Sequence, residues 1–350
     1  MLYIHKMSCI SPQQTFGEIK LEELKGSSAN TLRAIEPSYQ GIPPGQLRRM
    51  GKAVRLGVGT ALPLLNSDVE VEGIIIGTAN GGMEDCIKFL NQIIEYDEGT
   101  LTPTNFVQST SNAIAAQLAF MKSNKGYNIT HVHRGLSFEN ALLDAIMHTM
   151  EHPGKKYLLG GIDEISDYNF NIDFLIGCFK KEITSNENLY DQNTDGTIAG
   201  EGAAMFIVSG NEADSLAAVH SMKTFHTKNP DEVMSGLEEF FKSANIELAE
   251  IDMVITGENG DQRSDLFSIL VDSSFSDSIP VLRYKHATGE LPSASALSLW
   301  YACHFLQSKD VPAHMLKRGK VNRLPRMILL YNCYQGLQHS FILLGSVGKN

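Results

Sequence analysis

The stretch ITHVHRGLSFENALLDA, residues 129–145, brings together groups that could do chemistry. It reads as an apolar lead-in, a tight turn at Gly135 and an amphipathic helix. That is the layout of a nucleophile elbow, where a side chain meets the positive end of a helix. Neither Arg134 nor Gly135 can attack a substrate, and the five cysteines (Cys9, Cys86, Cys178, Cys303, Cys333) all lie elsewhere. Ser137, in the first helical turn, has His131 and His133 nearby in sequence, and a Ser–His pair would be a usable nucleophile and base. No orienting acid is identifiable, however, and a serine there also serves to cap or line the helix start. His131 and His133 fall on one side of a strand and offer half a metal site. With no third ligand in view, packed or hydrogen-bonded histidines are expected and no metal is.

The elements that must position these groups are those of an α/β protein, because strand-like runs alternate with helical patterns throughout. VEGIIIGTANGGMEDCIKFLNQII reads as strand, glycine turn and helix, and IDMVITGENGDQRSDLFSILVDSSF repeats that plan later in the chain. KKYLLGGIDEIS and GEGAAMFIVSG add short buried-type strands. RMILLYNCYQGLQHSFILLGSV adds two more, joined by a turn at Gln335-Gly336. Two related halves follow, residues 1–210 and 211–350, divided at the polar break SGNEADS. The glycine turns GTANGG and GENG lack the GxGxxG spacing that seats a pyrophosphate, and there is no GxxxxGK[ST] loop. No nucleotide or other cofactor is therefore expected.

With 43% hydrophobic and 20% charged residues in 350, the composition is that of a globular chain with a substantial core. No apolar run approaches the ~20 residues of a membrane span. The N-terminus lacks the pattern of a signal peptide, so a cytoplasmic location is expected. The scattered, odd-numbered cysteines suggest reduced thiols. A net charge of −11 argues against general nucleic-acid binding. Two basic clusters stand out against it, LRRMGKAVR and HMLKRGKVNRLPR. Each reads as a solvated face or as a docking patch for an acidic partner.

Taken in order, several motifs resemble the β-ketoacyl synthases, the condensing enzymes of fatty-acid and polyketide synthesis. They are GIIIGTANGG, LTPTNFVQSTSNAIAAQLA, LLGGIDEIS, TDGTIAGEGAAMFIV, LRRMGKAVRL and YKHATGELPSASAL, and the likeness runs from about residue 2 to 347. The resemblance implies a thiolase fold, with two related halves packed as a five-layer αβαβα sandwich. In an active member a cysteine at the elbow carries the acyl chain and two histidines stabilise the enolate. Here those positions fall on Gly135, Asn259 and Glu290, and a glycine-rich C-terminal motif has become CYQGLQ at 333–338. Glycine cannot be acylated. A carboxylate at Glu290 repels a developing negative charge, by several kcal/mol at ~4 Å and an effective dielectric near 20. Alternatively, Glu290 pairs with Lys285 in place of the lost histidine network.

The resemblance therefore implies a chain that is not catalytic alone. The wording is nearest to chain-length-factor-type and ketosynthase-like proteins of aryl-polyene and flexirubin pigment clusters. Such a chain partners an active ketosynthase as a heterodimer, or itself as a homodimer, and receives an acyl carrier protein. On this likeness Phe106, Val107, Ser111, Asn112 and Ile114 form the acyl-tunnel wall or dimer interface. Arg48, Arg49 and Lys52 form the carrier-docking helix, and Trp300 or Phe305 could fill the tunnel. Altered acyl-transfer or hydrolytic chemistry, and a homodimeric acyl-binding role, are the alternatives.

Overall fold

The computed structural model describes residues 1–65, 69–308 and 310–348. The first part runs through β1 (Leu2–Ile10), β2 (Thr31–Leu32), α1 (Pro44–Leu47), α2 (Lys52–Leu65), β3 (Gly73–Thr78), α3 (Met83–Glu95) and α4 (Pro103–Gln108). It continues with α5 (Ala113–Lys122), β4 (Tyr127–Val132), α6 (Ser137–Glu151), β5 (Tyr157–Asp163), α7 (Asp167–Leu175), β6 (Ala199–Gly200) and β7 (Gly202–Ser209). The second part holds β8 (Ala217–His226), α8 (Pro230–Ala244), β9 (Met253–Thr256), α9 (Gln262–Ser273), β10 (Val281–Arg283) and α10 (Lys285–Thr288). It ends with α11 (Ala294–Gln307), β11 (Leu316–Arg318), β12 (Met327–Tyr334) and β13 (Gln338–Ser346).

Among the described residues, eleven strands join in one sheet of order β11-β10-β9-β12-β13-β8-β1-β7-β5-β3-β4. Outward from the β1–β8 seam, each side repeats the same steps. Two antiparallel pairings (β1–β7–β5 and β8–β13–β12) are followed by two parallel ones (β5–β3–β4 and β12–β9–β10). The strand–turn–helix plan seen twice in the sequence is thus β3–α3 in one part and β9–α9 in the other.

Strand alternation sorts the side chains into layers. On β7, Ala204, Phe206 and Val208 face a central core, while Ala203, Met205 and Ile207 face an outer one under α2 and α5. On β12, Ile328 and Leu330 face the centre, while Leu329, Tyr331 and Cys333 face α8 and α9. The central layer is α6 and α11, wedged between the two sides of the sheet. Because α11 is covered on all sides, its ASALSLWYACHFL sequence is apolar or small all round. Trp300 and Phe305 are core residues there.

Local chemistry fixes the ends of these elements. Asn229 caps α8 by accepting from Asp231 N–H at 3.0 Å, and Asp261 caps α9 by accepting from Arg263 N–H at 3.1 Å. The β12–β13 hairpin turns with positive φ at both Gln335 (53°) and Gly336 (62°). Among the described residues, no helix is long and apolar enough to cross a membrane.

Candidate functional site

The elbow lies where β4 ends and α6 begins, and it is filled. A Cβ on residue 135 would lie 2.2 Å from Tyr334 Cβ and 2.3 Å from its Cγ, so only glycine fits against this tyrosine. The Gly135 N–H donates to Gln338 Oε1 at 2.7 Å. Both contacts come from the β12–β13 hairpin, whose CYQGLQ segment closes over the elbow. Ser137 is fully buried, and its Oγ has no hydrogen-bond partner among the described residues. It therefore neither caps the helix nor pairs with a histidine. His131 bonds Asp144 Oδ2 at 3.0 Å, and the His133 ring lies edge-on to His226 with centroids 5.9 Å apart. Burial, then the neighbouring His226, lowers the His133 pKa.

Asn259 and Glu290 do come together, with Lys285. Glu290 Oε2 accepts from Lys285 Nζ at 2.7 Å and from Asn259 Nδ2 at 2.6 Å, while Asn259 Oδ1 accepts from Asp261 N–H at 3.0 Å. Lys285 is fully buried, so its ammonium requires this carboxylate. The ion pair expected from sequence is thus present, and the asparagine amide donates one N–H to the same carboxylate oxygen. Backbone geometry holds the group in place. Gly289 (φ +72°) packs so closely on the 199–200 strand that a Cβ there would meet Gly200 Cα at 2.5 Å. Glu290 itself exchanges backbone bonds with Ile198 O (2.7 Å) and Gly200 N–H (2.9 Å).

A cavity of ≈ 510 Å³ opens in front of these residues. Asn259, Glu290 and Tyr334 line it, with apolar walls that include Phe170, Phe179 and Phe267. Phe170 stacks on Phe179 at 5.0 Å. Cys178 also lines it, its Sγ taking the Gln335 Nε2 donor at 3.1 Å; burial and Asp173 raise this thiol's pKa. Glu164 stands on the same wall, its carboxyl raised to about 7 by burial and then Asp85. Deeper in, Glu139 is fully buried on α6 and accepts from the Ser295 and Ser340 hydroxyls; burial raises its pKa.

Sequence reasoning missed Tyr334, Gln338, Cys178, Glu164 and Glu139 as site residues. Only Glu139 left a signal, as an acid on the otherwise apolar face of an amphipathic helix. Tyr334 and Gln338 stand in the altered CYQGLQ motif and Glu164 in LLGGIDEIS, but those segments do not say which side chain reaches the elbow or the cavity. Among the described residues, no group of three or more His, Cys, Asp or Glu side chains is placed to hold a metal.

The remaining candidates separate. Phe106 (61% exposed) and Val107 (66%) stand out from α4, and Asn112 at the start of α5 accepts from Thr130 Oγ1 at 2.8 Å; Ser111 is half-buried. Ile114 instead turns into the core beneath α2, where a Cβ on Gly57 would touch it at 2.5 Å. Arg48 and Arg49 are exposed and have no ion-pair partner among the described residues. Lys52 differs from both: its Nζ lies 2.5 Å from the fully buried Glu201 and neutralises it, so it is not a free docking cation.

This architecture matches the thiolase fold of solved ketosynthases. Residues 25–172 match the family model described as beta-ketoacyl synthase, N-terminal domain, which bears out the resemblance read from the motifs. Three solved structures share the fold over nearly all of both chains. A beta-ketoacyl synthase from Burkholderia phymatum has a TM-score of 0.78 at 15% identity, covering 99% of each chain. The ishigamide ketosynthase/chain length factor has 0.78 at 16%, again covering 99% of each. The ketosynthase ApeO in complex with its chain length factor ApeC, from Xenorhabdus doucetiae, has 0.77 at 14%, covering 99% of this chain and 98% of that one. No curated protein matches the chain by sequence.

Proposed function

We propose that this chain is a non-catalytic, chain-length-factor-type subunit. It pairs with an active β-ketoacyl synthase in fatty-acid or polyketide assembly of the aryl-polyene or flexirubin kind, and it shapes the acyl tunnel there. The observation that carries the reading is the plugged elbow, where Tyr334 occupies the space of a nucleophile and Gln338 takes the backbone donor. The Lys285–Glu290–Asn259 cluster adds to it, since a carboxylate held by a buried ammonium and an amide stands where the resemblance expects histidines.

A partner is supported by the free edge of β4. This strand ends the sheet, and α5 and α6 flank it. Both flanking helices expose large apolar groups, including Phe120 (79%), Leu143, Met147 and Met150, and Val132 on the strand itself is exposed too. An unpaired strand edge between apolar helix faces is a template for a second chain. The exposed Phe106 and Val107 on α4 are candidates for the wall presented to that chain, with Ser111 beside them. Arg48 and Arg49 are suited to an acidic carrier protein.

The test is intact-protein mass after incubation with acyl- and malonyl-carrier-protein thioesters, first alone and then with a co-encoded ketosynthase that keeps its Cys-His-His set. No adduct alone, with longer products when the partner is added, is expected. An acyl adduct on the isolated chain would overturn the reading in favour of altered chemistry, with Cys178 the first residue to map.

A further inference from the structure

Two surfaces that the sequence treats as separate are joined by one side chain. Gln108, the last residue of α4, is 8% exposed although its neighbours Phe106 and Val107 stand in solvent. Its amide clamps the turn between α1 and α2 from both sides: Oε1 accepts from Gly51 N–H, and Nε2 donates to the carbonyl of Arg49. Arg49 and Arg48 are the exposed, unpaired cations of that turn. The turn is tightly seated, since a Cβ on Gly51 would come within 1.9 Å of Asp85 Oδ2, on α3. α3 in turn packs on α4 through Phe89 and Phe106, whose ring centroids are 5.3 Å apart. Thus α4 has one apolar face turned outward and one polar end holding the basic turn. A buried amide that satisfies a donor and an acceptor two residues apart fixes the turn's orientation more firmly than a single bond would.

We infer that Gln108 is a positioning residue, which fixes how Arg48 and Arg49 are presented to an acidic acyl carrier protein, so that carrier affinity follows the seating of α4. This rests on the carrier-docking reading above. Reciprocity then follows: whatever covers Phe106 and Val107 and steadies α4 tightens carrier binding, and a bound carrier tightens that contact by the same factor.

The experiment is a double-mutant cycle on the full chain, read as affinity for a type II acyl carrier protein at low salt. Gln108→Leu keeps the volume and removes both bonds, and it is expected to weaken binding about fivefold to tenfold. In an Arg48→Ala/Arg49→Ala background the same substitution is expected to cost nothing more, because the groups it positions are gone. Gln108→Glu keeps an acceptor for Gly51 N–H but cannot donate to Arg49, and an intermediate loss is expected. It also serves should the leucine variant not fold. Unchanged affinity in Gln108→Glu and Gln108→Leu would overturn the inference, as would an equal loss in both backgrounds. If the double-alanine variant itself binds as tightly as the parent, the docking reading fails and the inference falls with it.

Discussion

Lys285 and Glu290 show what replaces a histidine network when the chemistry is absent. A fully buried ammonium beside a carboxylate is costly to isolate, whereas the pair exchanged together for apolar groups is often neutral. Lys285→Met should therefore destabilise the protein by about 3–5 kcal/mol, while Lys285→Met with Glu290→Leu should recover most of the loss. Urea unfolding of the parent, the single and the double variant measures this, and equal losses in the last two would refute it. The partnership was legible in sequence because Lys285 and Glu290 are five positions apart. The plug was not: Gly135 meets Tyr334 only because a hairpin from the far end of the chain folds over the elbow, and neither residue type predicts the other. The settings of Ile114 and Lys52 were hidden for a related reason. A family position says which segment a residue occupies, but not which way it turns, and here one turned to the core and the other to a buried acid.

At the level of elements, β4 and its flanking helices set how the chain associates. Among the described residues, strand β4 pairs on one side only, with β3, and Val132 at its end is exposed. Lysine on a sheet edge is a common block to edge-to-edge pairing. Val132→Lys combined with Met147→Glu should weaken self- or partner association more than tenfold while leaving the thermal midpoint of the isolated chain within a few degrees. Sedimentation velocity over a concentration series, beside a melting curve, distinguishes this from unfolding. The strands themselves were readable from their apolar runs and bounding glycines. The exposure of α4 and α5 was not, because NFVQSTSNAIAAQLA carries apolar residues suited equally to a core and to an interface.

For the whole molecule, buried acids couple stability to pH. Burial raises Glu164 and Asp265 to about 7 in the folded chain, well above ordinary carboxylates. Each holds its proton more tightly folded than unfolded, so its contribution is fully present below the unfolded pKa near 4. That contribution is lost as pH rises towards 7 and is flat beyond. Other carboxylates, such as Glu36, lowered by its Arg55 and Tyr39 hydrogen bonds against the burial that would raise it, pull the other way, so the informative quantity is a difference. The stability gap between the parent and Glu164→Gln should change steadily from pH 4.5 to 7 in the variant's favour. A gap independent of pH would show that Glu164 ionises normally. The duplicated plan of the two parts was visible in the repeated strand–glycine–helix pattern. Their fusion into one sheet was not, since nothing in the local pattern of β1 marks it as the seam.

That seam has a consequence for how the chain is made. Strand β1 sits between β7 and β8, paired on both edges by segments that follow it by roughly two hundred residues. Ribosomes extend a chain at about 5–20 residues per second. Strand β1 therefore waits roughly 10–40 seconds with both edges open before its partners are made. The N-terminal part cannot close its sheet alone. One edge of β1 is paired only once β7, ending at Ser209, is made, and the other only once β8, ending at His226, has followed.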